Sequence, residues 1–284
     1  MKTLSIVIVN WNTRTLLFKL LTSIFEHAPR VDCDVIVVDN ASSDGSLEMV
    51  TAEFPSVTLL ANPSNVGFAR AVNRGIRESD GQYVLLLNTD LLVVAGAIDA
   101  QIAFMEAHPR CAFCGGALLN EQGIPENAYG RFPSVRTLLG ELLPYRWGKQ
   151  YRISCIPAVD QIHTVPVDHV SGADLMARRA GLESIGLLDE QFFMYFEDSD
   201  WCYRAKRLGW DVWYVPSVRY IHTGLGSMTG IARQRRQWLT GMAVFLRKNY
   251  QGAYSVICWI LWQLLRAKSV AWTARITRRW CVFL

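Results

Sequence analysis

From residue 212 to residue 284 the chain contains no aspartate and no glutamate. That stretch holds eleven Lys and Arg residues, a local charge of +11. All 25 acidic residues, with 18 basic ones, come before it, a balance of −7, so the net +4 conceals two opposite halves. Long apolar runs are missing too. The run at 254–265 is only a dozen residues, whereas a spanning helix needs about 20. A helix lying in a membrane interface fits it better, with a helix of the domain core as the alternative. Paired cysteines are scarce: the seven are odd in number and scattered, and Cys111 and Cys114 form a Cys-x-x-Cys without a second pair. Neither a disulfide framework nor a zinc ribbon is expected, and a reducing compartment is. Met1 leads directly into a strand-like segment with no cleavage-site pattern behind it, and no secretory leader is expected. With only 20 Gly and 10 Pro in a chain that is 51% hydrophobic, a collagen-like fibre and a disordered polymer are both excluded. The length suits one large domain or about two ordinary ones.

What is present has an ordered rhythm. Residues 4–9, 34–38, 57–61 and 83–87 are short runs rich in Val, Ile and Leu, as in parallel strands buried on both faces. Between them, 15–25, 46–52 and 68–78 read as helices; the first has Leu16, Leu17, Leu20, Leu21 and Ile24 at helical spacing. This alternation predicts a doubly wound α/β sheet. Every one of these strands turns polar at its carboxyl end: Asn10-Trp11-Asn12, Asp39-Asn40, Asn62 and Asn88-Thr89-Asp90. One such end is ordinary turn chemistry; four together point to a shared site in the crevice where ligands bind open α/β sheets. Residues 120–165, broken by Pro125, Pro133, Pro144 and Pro157, read as a loop-rich insertion. Helices are then predicted near 178–186 and 197–208, a strand at 212–215 and a long helix at 228–248. Six of the ten Trp lie in the basic stretch from 212 onward. Basic and Trp-rich together suit a nucleic acid or an anionic membrane surface, and the apolar run at 254–265 favours the membrane.

Several segments taken in order bring a family into view: Ser5-Ile-Val-Ile-Val-Asn-Trp-Asn12, Val37-Val-Asp-Asn-Ala-Ser-Ser-Asp-Gly-Ser46, Asn65-Val-Gly-Phe-Ala-Arg-Ala-Val-Asn-Arg-Gly75 and Leu87-Asn-Thr-Asp90. They resemble the family 2 glycosyltransferases of GT-A fold. Ser171-Gly-Ala, Leu188-Asp-Glu-Gln-Phe-Phe-Met-Tyr-Phe-Glu-Asp-Ser-Asp-Trp-Cys-Tyr-Arg204 and His222-Thr-Gly-Leu-Gly-Ser-Met228 are similar to its bacterial rhamnosyltransferase branch. The resemblance implies a Rossmann-like, mostly parallel sheet flanked by helices. It divides residues 1–228 into a donor half at about 1–119, the insertion at about 120–165 and an acceptor half at about 166–228. Residues 229–284 are left as a basic, Trp-rich helical tail expected to associate with a membrane.

The implied chemistry is transfer of a sugar, rhamnose first, from a nucleoside diphosphate to a hydroxyl of a lipid-linked saccharide, with inversion. Polysaccharide synthesis at the cytoplasmic face of the bacterial inner membrane is the implied setting. By resemblance Asp39 accepts the ring N–H of uracil or thymine, and Asn10, Asn12 and the backbone of Val9 line the same pocket. Gly67 admits close backbone approach. Arg70, opening a helix, is expected near phosphate or sugar with Asn65, while Asn73 also fits a plain helix start. Asn88-Thr89-Asp90 stands where the family has its Asp-x-Asp metal motif, so Asp90 is the only formal charge for Mn²⁺ or Mg²⁺, and His222 is a further candidate ligand. In Glu197-Asp198-Ser199-Asp200, helical spacing puts Glu197 and Asp200 on one face, and Arg204 is placed to pair with Asp200. Asp198 is turned about 100° from Glu197, toward the cleft. Resemblance makes Asp198 the base that takes the acceptor proton, and crowding raises at least one pKa in the cluster. Two rivals stay open. A nucleotidyltransferase fits poorly, because no glycine-rich loop follows the first strand. A non-catalytic nucleotide-sugar- or nucleic-acid-binding protein fits poorly too, because both Asp90 and Asp198 are present; no nucleic-acid partner is expected.

Overall fold

The first four apolar runs are strands: β1 (Leu4–Asn10), β2 (Cys33–Asp39), β3 (Thr58–Ala61) and β4 (Tyr83–Asn88), all parallel. In the computed structural model, which describes residues 2–154, 162–224 and 230–280, β1 and β4 are almost wholly buried. Their lack of alternation is the mark of a strand covered on both faces. The cover is supplied by α1 (Arg14–Glu26), α2 (Ser46–Glu53) and α3 (Phe68–Glu78), within two residues of the predicted bounds. α3 lies directly on β1: a Cβ on Gly75 would come within 2.4 Å of the Val7 side chain.

The chain then runs through β5 (Leu91–Val93), α4 (Ala97–Ala107), β6 (Cys111–Leu119) and β7 (Tyr129–Gly130) to α5 (Val135–Leu142), α6 (Tyr145–Gly148), β8 (Val165–Pro166) and β9 (His169–Val170). β10 (Asp174–Arg178), α7 (Arg179–Ile185), α8 (Glu197–Arg207), β11 (Asp211–His222), α9 (Ile231–Asn249) and α10 (Gly252–Trp280) complete it. Among the described residues the sheet order is β3-β2-β1-β4-β10-β6-β11-β5, with β8 paired on β11 and β7 and β9 forming a separate ribbon. The chain moves outward from β1 to β3 and then returns to place β4 on the other side of β1. That reversal opens a crevice at the strands' carboxyl ends. β10 enters antiparallel to β4, and the sheet is mixed there.

Two stretches are more ordered than the sequence suggested: the expected loop-rich insertion holds a helix, and the expected 212–215 strand is longer. Pro133 and Pro144 bracket α5 rather than dissolving the segment. Ser134 starts the helix with a reciprocal cap: its hydroxyl accepts from the Thr137 N–H, and its own N–H donates to the Thr137 hydroxyl. β11 does not stop at Val215 but passes Pro216 through a register shift and continues to His222. Its last pairing sets His222 opposite Leu91 of β5.

A second apolar core lies beside the sheet. Leu239, Met242, Phe245 and Leu246 of α9 and Cys258, Trp262 and Leu265 of α10 pack with Leu138 of α5 and with Phe192 and Phe196. One face of the basic tail is therefore core, while Val256, Ile257, Ile260 and Leu264 on the other face of α10 are exposed. No helix among the described residues is long and apolar enough to cross a membrane.

Candidate active site

The strand ends form the floor of a cleft of about 890 Å³. Beneath it Asn10 and Asp39 are buried and tied together. The Asn10 amide donates to Asp39 Oδ2 (2.7 Å), Asp39 Oδ1 accepts the Ser42 N–H (2.8 Å), and Asn10 Oδ1 accepts from the Thr13 hydroxyl (2.7 Å). The Thr13 oxygen in turn accepts from the Thr89 hydroxyl (2.9 Å), joining the ends of β1, β2 and β4 in one network. Val9, Asn65, Gly67 and Asn88 line the cleft itself. Gly67 has φ +88°, and a Cβ there would meet the Phe193 carbonyl oxygen at 2.7 Å. Phe68 N–H donates to that same oxygen (2.7 Å), so this turn docks directly against the segment that leads into α8.

Asp90 follows β4, and the length of β11 brings His222 to it, with Nε2 3.3 Å from Asp90 Oδ2. The other ring nitrogen contacts Glu126, on the chain between β6 and β7. The hydrogen bond to Asp90, reinforced by Glu126 and opposed by burial, raises the His222 pKa from 6.5 to about 9. Asp90 Oδ1 is buried and has no hydrogen-bond partner. A hard carboxylate oxygen left unsatisfied beside an imidazole fits a divalent cation that takes its remaining ligands from substrate and water. Among the described residues no group of three or more His, Cys, Asp or Glu forms a complete cage.

Across the cleft, α8 begins with Glu197 and Asp198, both in the lining. The two residues before it, Tyr195 and Phe196, hold positive φ values of 69° and 71°, a conformation that costs energy for side chains of this size. Packing enforces it: a Cβ on Gly241 of α9 would fall 2.2 Å from the Tyr195 carbonyl oxygen. Asp198 is fixed by two N–H donors, Gly172 to Oδ2 (2.9 Å) and Ser199 to Oδ1 (2.6 Å). Glu197 is buried and its Oε2 unpartnered. Burial, and then the neighbouring Asp198, raise its pKa from 4.5 to about 8.

Other residues picked from the sequence stand outside the cleft. Asn12, at φ 54°, instead accepts from the Ser43 N–H (2.8 Å) and shapes the turn after β2. Arg70 points to Glu190 (3.5 Å) on the surface. Asp200 and Arg204 pair at 2.9 Å as predicted, but Asp200 is fully buried and also accepts from Lys248 (2.8 Å) and Asn249 (2.9 Å) at the end of α9. Asn73 clasps the Leu188 backbone with both amide atoms, at 2.8 and 3.0 Å. Glu126, Tyr195 and Arg233 are cleft residues that the sequence did not single out. Arg233 is recognisable only once α9 is seen to lay it over the Trp11 ring, 5.7 Å from its centroid.

A mostly parallel sheet with this strand order and an acidic turn at its crevice defines the GT-A class of glycosyltransferases. The fold matches that of a mannosyltransferase from Pyrobaculum calidifontis solved with GDP-Man and Mn²⁺ (TM-score 0.61, 16% identity, 96% of this chain and 75% of that one). Within that class, the family model for glycosyl transferase family 2 matches residues 5–169, more than half of the chain, and the chain belongs to that family. Relatives include the N-acetylglucosaminyl-diphospho-decaprenol L-rhamnosyltransferase of Mycobacterium tuberculosis, 29% identical over 205 residues. That alignment covers 66% of each chain, just under two thirds of the relative's length. The low-salt glycan biosynthesis hexosyltransferase Agl10 of Haloferax volcanii is 28% identical over 87% of this chain and 75% of its own.

Proposed function

We propose that this protein is an inverting glycosyltransferase. It moves a sugar, rhamnose in the first instance and so from dTDP-rhamnose, to a hydroxyl of a lipid-linked saccharide in cell-surface polysaccharide synthesis. The work is done at the cytoplasmic face of a bacterial inner membrane. The observation that carries this reading is the convergence of Asp90, His222 and Asp198 on one cleft although each comes from a distant part of the chain. The rhamnose and lipid-linked assignments draw on the mycobacterial relative's name.

Each side of the cleft has its own task. Val9, Asn65 and Gly67 receive the donor nucleotide, with Asn10 and Asp39 closing the floor beneath it. Asp90 and His222 would hold Mn²⁺ or Mg²⁺. Such a cation, when bound, supplies positive charge to the departing diphosphate. Asp198, oriented by the Gly172 and Ser199 N–H groups, takes the proton of the acceptor hydroxyl. Glu197, protonated at neutral pH, keeps a second negative charge away from that base.

A donor panel tests the reading. Thermal shifts with dTDP, UDP, GDP and their sugars, each with and without Mn²⁺, are expected to be largest for dTDP-rhamnose with Mn²⁺. A larger shift with another nucleotide sugar replaces the rhamnose assignment. No metal-dependent shift with any of them removes the metal assignment, and no shift at all removes the donor site.

A further inference from the structure

The basic tail packs on α5, and the segment that follows α5 reaches the cleft through Tyr145 and Lys149. This short helix is pinned to α10 at both ends. The Val135 N–H donates to the Tyr254 hydroxyl (3.3 Å), and Lys268 Nζ donates to the carbonyls of Leu142 (2.8 Å) and Glu141 (3.2 Å). Its inward side, Leu138, belongs to the core shared with α9 and α10. Its outward side leaves Leu139 exposed, and Leu143, the first residue past its end, is exposed as well. The chain continues into α6, where Tyr145 and Trp147 are 58% and 59% exposed. α10 likewise turns Ile257, Ile260 and Leu264 outward.

Large apolar side chains so concentrated on two packed elements need an occupant, and charge says which kind. From 131 to 152 the chain has five Arg and Lys and one acid, Glu141, which is buried against Arg152 (3.5 Å). From 212 onward there is no acid at all. Arg146 lies over the Trp147 ring at 4.5 Å and Lys149 near the Tyr145 ring at 5.9 Å. Aromatic rings beside cations, with apolar residues next to them, match the boundary between anionic headgroups and acyl chains.

We infer that α5, α6 and the outward face of α10 form one docking surface for an anionic bilayer. Tyr145 and Lys149 also line the cleft, so docking through α6 sets the cleft mouth at the headgroup layer, where a lipid-linked acceptor presents its sugar. The inference rests on the membrane-facing part of the function proposed above, and extends it from the tail to a segment far away in sequence.

The test is flotation of the full chain with vesicles of phosphatidylcholine alone and with vesicles that also carry about 30% phosphatidylglycerol. Two variants are compared with the parent: Leu139→Glu with Leu143→Glu and Trp147→Ala, and Ile260→Glu with Leu264→Glu. Binding of the donor nucleotide and the unfolding temperature verify that each remains folded. Both variants are expected to bind the anionic vesicles about tenfold or more weakly. If only the α10 variant is released, the composite surface is wrong while the tail still binds membrane. If neither is released, the membrane reading itself falls. If the parent is a dimer that the variants make monomeric, with vesicle binding unchanged, the surface joins two copies of this chain and the inference is overturned.

Discussion

At Asp198 both carboxylate oxygens accept backbone N–H groups, and an amide in its place keeps the shape and one of these acceptors but cannot take a proton. Asp198→Asn is expected to lower kcat by about 10²–10⁴-fold with the donor Kd close to that of the parent. Near-normal turnover in steady-state assays would move the base to another acid. Glu126 offers a second case. It touches the His222 ring nitrogen opposite Asp90, and so sets which way the other nitrogen is presented, as outer carboxylates do for metal-binding histidines. Glu126→Gln is expected to weaken Mn²⁺-dependent nucleotide binding about 10–100-fold and to leave metal-free binding unchanged. Titrations with and without Mn²⁺ measure both, and an equal loss in the two would make Glu126 a residue of the fold alone. Sequence offered no route to Glu126: it is one acid in a segment without periodicity, and only the length of β11 brings His222 to it. Asp90 and Asp198 each stand in a distinctive short motif, and the structure places both in the lining of the cleft. Arg70 was misleading because a helix start says nothing about which way its third residue points, and here Glu190 draws it to the surface.

Between elements, the clearest joint is at Asp200. It has no exposure and accepts from Arg204 on its own helix and from Lys248 and Asn249 at the end of α9. Close by, Gly241 of α9 presses on the strained Tyr195–Phe196 backbone just before Glu197 and Asp198. Asp200→Ala strands two cations that stay partly buried, although Lys248 keeps Asp189 at 2.6 Å. The expected loss is about 2–4 kcal/mol in urea unfolding; a loss below about 1 kcal/mol would mean that solvent already screens the cluster. The element boundaries show where the sequence was readable. β1 to β4 announce themselves as unbroken apolar runs. β6 does not, because Gly115 and Gly116 read as a break. In the fold they are the points where the Asp174 carbonyl and the Val218 carbonyl come within 2.9 and 2.6 Å of where a Cβ would stand. β5 is only three residues long, too short for any pattern. β10 follows a small-residue turn and was hidden by it. Pro216 looked like the end of a strand, but a register shift carries β11 past it.

Over the whole molecule, three titrating groups make stability depend on pH in one direction. Asp174, at the centre of the sheet, is fully buried; Oδ2 accepts the Gly116 N–H at 2.6 Å and Oδ1 has no partner. Burial, against that one hydrogen bond, raises its pKa from 3.8 to about 8, and Glu197 is likewise raised to about 8. Between the unfolded and folded values of each carboxyl the folded chain holds the extra proton, so raising the pH favours unfolding. His222, raised to about 9, stabilises fully below its unfolded pKa near 6.5 and stops doing so as pH passes 9, which has the same sign. Metal-free protein is therefore expected to lose stability between pH 6 and 8, the two carboxyls contributing about 3 kcal/mol each, with His222 alone adding a smaller loss toward pH 9. Asp174→Asn keeps an oxygen for the Gly116 N–H and removes one titration, so its profile should be flatter, with its advantage over the parent growing up to about pH 8 and level beyond it. Urea midpoints at pH 6, 7, 8 and 9 in the presence of a chelator decide the matter. A parent profile that is level or rising over that range would place Asp174 and Glu197 ionised within the fold, with partners that the buried oxygens do not have here.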